Sequence, residues 1–134
     1  MAVERTYVML KPDCIRRGLM GKVISRIEEK GFKITDAKMM NLGEDILKEH
    51  YAHLADKPFF PSIVEFMTSG PVLAMIVEGE NAVQGVRKLM GPTKYEDAAP
   101  GTIRGDYAES TQQNIIHGSD SVENAEIEIK RFFG

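Results

Sequence analysis

An unbroken apolar run, Val-Leu-Ala-Met-Ile-Val at residues 72–77, constrains the fold of this chain more than any other feature. So short a run reads as a central strand, covered on one face and buffered on the other. Further elements must pack around it. Residues 5–10 (RTYVML) are rich in β-formers and stop at Lys11-Pro12, because proline cannot continue a central strand. Met20, Val23, Ile24 and Ile27 follow the spacing of an amphipathic helix, which Gly31 is placed to terminate. Residues 32–42 read as a strand in which Phe32 and Ile34 share one phase and Ala37 and Met39 the other, so a bulge is expected between them.

Residues 44–54 look helical, as do residues 62–68 after Pro61, a residue suited to a first helical position. Asn81 with Gln84 resembles a capping box that opens a helix through Val83, Val86, Leu89 and Met90, ended by Gly91-Pro92. A long polar segment, 93–113, follows; loops of that length are usually functional or interfacial. Residues 114–117 read as the last strand, and Asp120 with Glu123 offers a second capping box for a helix from Val122 onward. This order contains the split βαβ pattern. It predicts an α+β fold, a ferredoxin-like sandwich with a four-stranded antiparallel sheet covered by helices. With no internal repeat and no linker-like stretch, residues 1–134 are expected to form a single domain.

Lysine and arginine together number 17 against 20 acidic residues, a net charge of −3. A generic polyanion binder usually shows a basic excess, so phosphate recognition here must come from a few focused cations. The one cysteine, Cys14, rules out an internal disulfide and fits a reducing compartment. No His-paired cysteine signature surrounds it, so a small, partly buried thiol is expected. The first residues lack a basic region followed by an apolar one, and no apolar run approaches the roughly 18 residues of a membrane span. A cytoplasmic location without membrane association is expected.

The octapeptide Asn114-Ile115-Ile116-His117-Gly118-Ser119-Asp120-Ser121 carries the strongest chemical signal. Gly118 lets the backbone turn at little steric cost, and small oxygen-bearing residues behind it can open a helix. A histidine at the mouth of a helix N-terminus is well placed to meet an anion, and imidazole is a nucleophile near neutral pH. On the octapeptide alone, a hydrogen-bonded strand-end histidine is an equal reading. The usual Gly-rich phosphate loops are absent, so any nucleotide phosphate would be held by side chains. Lys11, Arg87 and Arg104 are the available cations; taken singly each reads as a surface charge, although Arg87 is flanked by Val83, Val86 and Met90. Phe60 reads as core, whereas Phe59 in a loop could stack on a base. His50 and His53 have helical spacing for a metal pair, but no third ligand is evident.

Lys11-Pro12-Asp13, His50-Tyr51, Lys57-Pro58-Phe59-Phe60, Ser69-Gly70-Pro71-Val72, Pro100-Gly101-Thr102-Ile103-Arg104-Gly105-Asp106 and the His117 octapeptide occur in register along the chain. Together they resemble a nucleoside diphosphate kinase. The resemblance implies that His117 is a nucleophile that takes the γ-phosphoryl group of a nucleoside triphosphate, typically ATP. Phosphohistidine then passes the group to another nucleoside diphosphate by ping-pong kinetics. It further implies that Glu128 orients His117 and that Ser119 shapes its surroundings. Lys11, Arg87 and Arg104 would bind the phosphates, with Tyr51 and Thr93 as hydroxyl donors. Asn114 would meet the sugar, and Phe59 and Ile63 the base. Mg²⁺ is expected to arrive with the nucleotide, with Asp120 reaching it through water.

Three departures accompany the resemblance. His53 stands where an acidic residue is expected, Cys14 replaces a smaller residue, and the chain stops at Gly134 without the C-terminal tail of many members. The segment at Pro100 resembles a trimer-forming loop, so a homo-oligomer is expected, hexamer before tetramer. Two other function classes compete. One is an RNA or single-stranded nucleic-acid binding module on the same kind of sheet: Lys30-Gly31-Phe32 opens an RNA-recognition signature, but Lys33 and Ile34 break it, and no sequence-specific nucleic acid is expected. The other is an idle scaffold that only carries phosphohistidine for a partner.

Overall fold

The computed structural model describes residues 3–134; Met1 and Ala2, the start of the segment read for a leader, lie outside it. Four strands, β1 (Val3–Leu10), β2 (Lys33–Met40), β3 (Val72–Glu80) and β4 (Ile116–Gly118), form one sheet in the order β2-β3-β1-β4. Every pairing in it is antiparallel. With its helical connections this is the expected ferredoxin-like α+β arrangement. The helices are α1 (Pro12–Arg16), α2 (Met20–Glu29), α3 (Glu44–His50), α4 (Phe60–Met67), α5 (Ala82–Met90), α6 (Ile103–Tyr107) and α7 (Val122–Phe133).

The apolar run in β3 has a direct cause. Leu73, Met75 and Val77 pack with Val23, Ile27, Val86 and Met90 of α2 and α5. The alternate residues Val72, Ala74 and Ile76 pack with Leu47, Phe66, Ile129 and Phe132 of α3, α4 and α7. Both faces of the central strand are therefore covered by helices, where the sequence suggested one covered and one merely buffered. Strand β1 follows the same rule, with Val8 and Leu10 on one side and Tyr7 and Met9 on the other, all fully buried. The expected bulge in β2 falls between Ile34 and Asp36.

Local details depart from the sequence reading. The 44–54 helix breaks at Tyr51, whose dihedrals leave the helical region, and continues as a 3-10 turn over Ala52–Leu54. The 93–113 segment carries α6 and a 3-10 turn at Tyr95–Asp97. Asn81 makes no side-chain cap: it sits at φ 52, and the Val83 amide donates instead to Glu4 Oε1. The cap of α7 is Ser121, whose hydroxyl accepts from the Asn124 amide, one residue after the expected Asp120. At Gly118 a Cβ would stand 2.6 Å from Met90 Sδ, so the buried Met90 side chain would have to shift to admit one. Phe32 is inserted between β3 and α5, its ring lying where side chains at Gly79 and Gly85 would stand.

Candidate active site

Strand β1 delivers Lys11 at its end, and β4, its neighbour in the sheet, delivers His117 opposite Met9. Across them lies α7, fixed by the ring of Phe132 stacked on Tyr7 at 4.6 Å between centroids. That packing turns Glu128 toward His117, and Glu128 Oε1 lies 3.0 Å from His117 Nε2. The Ser119 hydroxyl donates to the same oxygen at 2.6 Å. Burial would raise the Glu128 carboxyl, but the hydrogen bonds and charge of His117 and the Ser119 hydroxyl outweigh it and leave the group at about 2. An ionised Glu128 only accepts, so a neutral His117 must carry its proton on Nε2. Nδ1 then holds the free lone pair.

Cations converge from three elements on the same cleft of about 900 Å³, which His117 also lines. Lys11 Nζ donates to Asn114 Oδ1 at 2.7 Å, leaving two N–H groups unspent. Desolvation, reinforced by the nearby Arg104, pushes the Lys11 ammonium down to about 7. Arg104 is buried, and its guanidinium donates to the carbonyls of Ile116 at 2.6 Å, Gly91 at 3.0 Å and Asn114 at 3.4 Å. Arg87, on α5, lines the cleft; burial and then the charge of Arg87 bring the Arg104 guanidinium down to about 10, where it is still fully charged near neutral pH. A part-buried imidazole with a free ring nitrogen, sharing a cleft with cations that have donors to spare, is an arrangement suited to phosphoryl transfer.

The comparisons agree. The family model for nucleoside diphosphate kinase matches residues 4–134. The chain belongs to the nucleoside diphosphate kinase family. A nucleoside diphosphate kinase from Symbiobacterium thermophilum is 54% identical over 132 residues, covering 98% of this chain and 88% of the relative. One from Thermus thermophilus is 52% identical, covering 98% and 96%. The crystal structure of an Encephalitozoon cuniculi nucleoside diphosphate kinase superposes with a TM-score of 0.94 at 52% identity, covering 98% of this chain and 89% of that one. A halophilic nucleoside diphosphate kinase from Halobacterium salinarum, solved in complex with CDP, gives 0.94 at 51% identity, covering 98% and 88%.

This nucleoside diphosphate kinase family chain is thus a nucleotide phosphotransferase, and the RNA-binding alternative is not favoured. The setting of Phe32, half-buried between β3 and α5, agrees: it is not an aromatic laid out on an open sheet. Most of the residues singled out in the sequence meet at one cleft. Tyr51, Thr93, Asn114 and Asp120 line it, as do Phe59 and Ile63 at its outer end. Phe59 is half exposed, whereas Phe60 is core. Burial, helped by Glu128, raises the Tyr51 phenol to about 12, which keeps it a protonated donor. Asn114 Nδ2 donates to the Thr93 carbonyl at 3.4 Å. Cys14 is fully buried rather than partly so, its thiol is raised by burial to about 12, and it lies outside the cleft lining.

The histidine pair is regrouped. His50 does not work with His53; it packs against His117, ring centroids 4.7 Å apart, and a ligating atom from each of His50, His117 and Glu128 falls within a 4.8 Å cluster. Burial and the neighbouring His117 hold the His50 ring down at about 3, so it is neutral. Its Nδ1 accepts from Arg131 Nη1 at 2.9 Å. His50 and Arg131 are the site residues that sequence reasoning missed. The His50-Tyr51 dipeptide and the helical spacing of His50 with His53 were the signals for the first, and nothing marked the second.

Proposed function

We propose that His117 is the nucleophile of this kinase. Its Nδ1 lone pair attacks the γ-phosphorus of a nucleoside triphosphate; the N–P bond forms as the bond to the bridging β-oxygen breaks, and the diphosphate leaves. A second diphosphate then takes the group back by the reverse displacement. The observation that carries this reading is Glu128 held ionised against His117 Nε2, which fixes the tautomer and frees Nδ1. Glu128 and Ser119 are positioning residues in it.

Lys11, Arg87 and Arg104 bind the phosphates through their unspent donors and stabilise the transferring group, with Tyr51 and Thr93 as hydroxyl donors. Asn114 meets the sugar hydroxyls. Phe59 and Ile63 hold the base by its face, so discrimination among bases is low. Mg²⁺ fits as a companion of the nucleotide: Asp120, an exposed carboxylate on the cleft wall, suits a hard cation that keeps its waters and draws most ligands from phosphates. Bound there, it would neutralise phosphate charge. We further propose that residues 1–134 form one domain, that the protein is cytoplasmic, and that it is a homo-oligomer, hexamer before tetramer, through the Pro100 segment. Among the described residues, no helix is long and apolar enough to cross a membrane.

Incubation with γ-labelled ATP tests the nucleophile. The expected result is an acid-labile, alkali-stable label that passes to GDP and is lost in His117→Ala. Full transfer by that variant would overturn the assignment, and label without GTP formation would favour the idle scaffold.

A further inference from the structure

The connection into β4 is bent against the preference of its own sequence. Ile115, a buried β-branched residue, sits at φ 77, in the left-handed region that such residues avoid. The Ile116 amide donates to the Asn114 carbonyl at 2.8 Å, closing a γ-turn of the strained kind around it. Strain of this sort persists only where the surroundings over-determine it, and it clusters at functional sites.

What holds the turn is Asp13. The carboxylate is fully buried at the start of α1, and its Oδ2 accepts from the Ile115 amide at 3.1 Å. The other carboxylate oxygen has no partner. The turn in turn supplies the site. The Asn114 side chain accepts from Lys11 Nζ, the Asn114 and Ile116 carbonyls take the Arg104 guanidinium, and the Ile115 carbonyl takes the Lys11 amide at 2.8 Å. His117 is the next residue. Were Ile115 to relax to a negative φ, its flanking peptide planes would rotate and carry these acceptors away from both cations.

We propose that Asp13 is a positioning residue for phosphoryl transfer: by clamping the Ile115 amide it holds the strained Asn114–Ile116 turn, and so keeps Lys11, Asn114, Arg104 and His117 in mutual register. The proposal rests on the phosphohistidine reading above. It differs from a simple counter-ion role, in which the Asp13 charge would serve the nearby Lys11 ammonium whatever the conformation of residue 115.

The two roles separate in a double-mutant cycle of Asp13→Ala and Ile115→Gly, with kcat and KM for ATP and GDP measured on each protein. Glycine adopts a positive φ at no steric cost, so it removes the need for a clamp. Asp13→Ala alone is expected to lower kcat/KM on the order of 100-fold, the scale of an ångström misplacement. In the Ile115→Gly background, where no clamp is needed, the same substitution is expected to cost only several-fold, and the cavity left by Ile115, common to both arms, cancels from the comparison. Asp13→Asn keeps an acceptor oxygen without charge and is expected to retain activity near wild type. An equal loss in both backgrounds, an unchanged activity in Asp13→Ala, or an Asp13→Asn as impaired as the alanine variant would each overturn the proposal. If Asp13→Ala fails to fold unless residue 115 is glycine, that supports it; if neither folds, Asp13→Asn decides. The coupling is also read without catalysis, from hydrogen exchange of the Ile115 amide, expected slow in wild type; fast exchange there defeats the clamp. A wild-type chain that ATP does not label would defeat the phosphohistidine reading and leave that measurement standing.

Discussion

Lys11 carries a charge that its surroundings oppose. With its ammonium held at about 7, it is half neutral near pH 7 and largely neutral at pH 8. A bound phosphate favours the charged form, so affinity and proton uptake are linked. The nucleotide KM is therefore expected to be flat below about pH 6 and to rise above pH 7, approaching tenfold per unit at the steepest. Lys11→Arg, which stays charged, should flatten that limb in steady-state profiles, and an equally steep rise in the arginine variant would show that another group is responsible. Glu128 makes a second case. Glu128→Gln can turn its amide N–H toward His117 and reverse the tautomer, so the rate of phosphoenzyme formation is expected to fall about 100-fold with little change in nucleotide binding. Rapid-quench labelling separates the two. At this scale the sequence shows the groups proposed to carry chemistry, because His117, Lys11 and Arg104 each sit in a punctuated motif. It hides the groups that set their state, since Asp13 meets Ile115 and His50 meets Arg131 across 102 and 81 positions.

The elements record where periodicity suffices and where packing overrides it. The amphipathic spacing of α2 and the phase change in β2 are legible because hydrophobic position alone determines them. The cap at Asn81 is not, because Glu4 of a distant strand takes the amide that a capping side chain would have taken. Glycines in β3 and α5 look like weak points in the sequence, yet Gly79 and Gly85 are the two walls of the slot that receives Phe32. Gly85→Ala would improve helix propensity by about 1 kcal/mol in isolation. Here the added methyl meets the Phe32 ring at an overpacking cost of about 1–3 kcal/mol, so the expected outcome is a net loss of up to about 2 kcal/mol. Urea midpoints of Gly85→Ala and Phe32→Leu/Gly85→Ala would test it: the double variant should recover part of the loss, and a stabilised single variant would refute the slot.

The whole molecule is assembled through its middle strand pair. Strand β1 is hydrogen-bonded to β3 on one side and β4 on the other, so the first strand of the chain joins the centre of the sheet to the strand that carries His117. The order of the strands follows from the split βαβ pattern, and so the topology is legible; the thickness is not, because helical patterns do not say which face of a sheet they will cover. Loss of transfer activity in urea is expected to coincide with loss of helical circular dichroism, since the cleft is lined from α3, α4, α5, α6, β4 and α7 together. Activity that outlasts the secondary structure, or vanishes well before it, would contradict this. The bond from Lys11 to Asn114 spans 103 positions and lies in the cleft that His117 lines. Loop closure on that scale comes late in folding, after local helices have formed. Regained phosphoryl transfer is thus a clock for the closing of the chain upon itself: during refolding, the first turnover should mark the moment when its two distant ends have found each other.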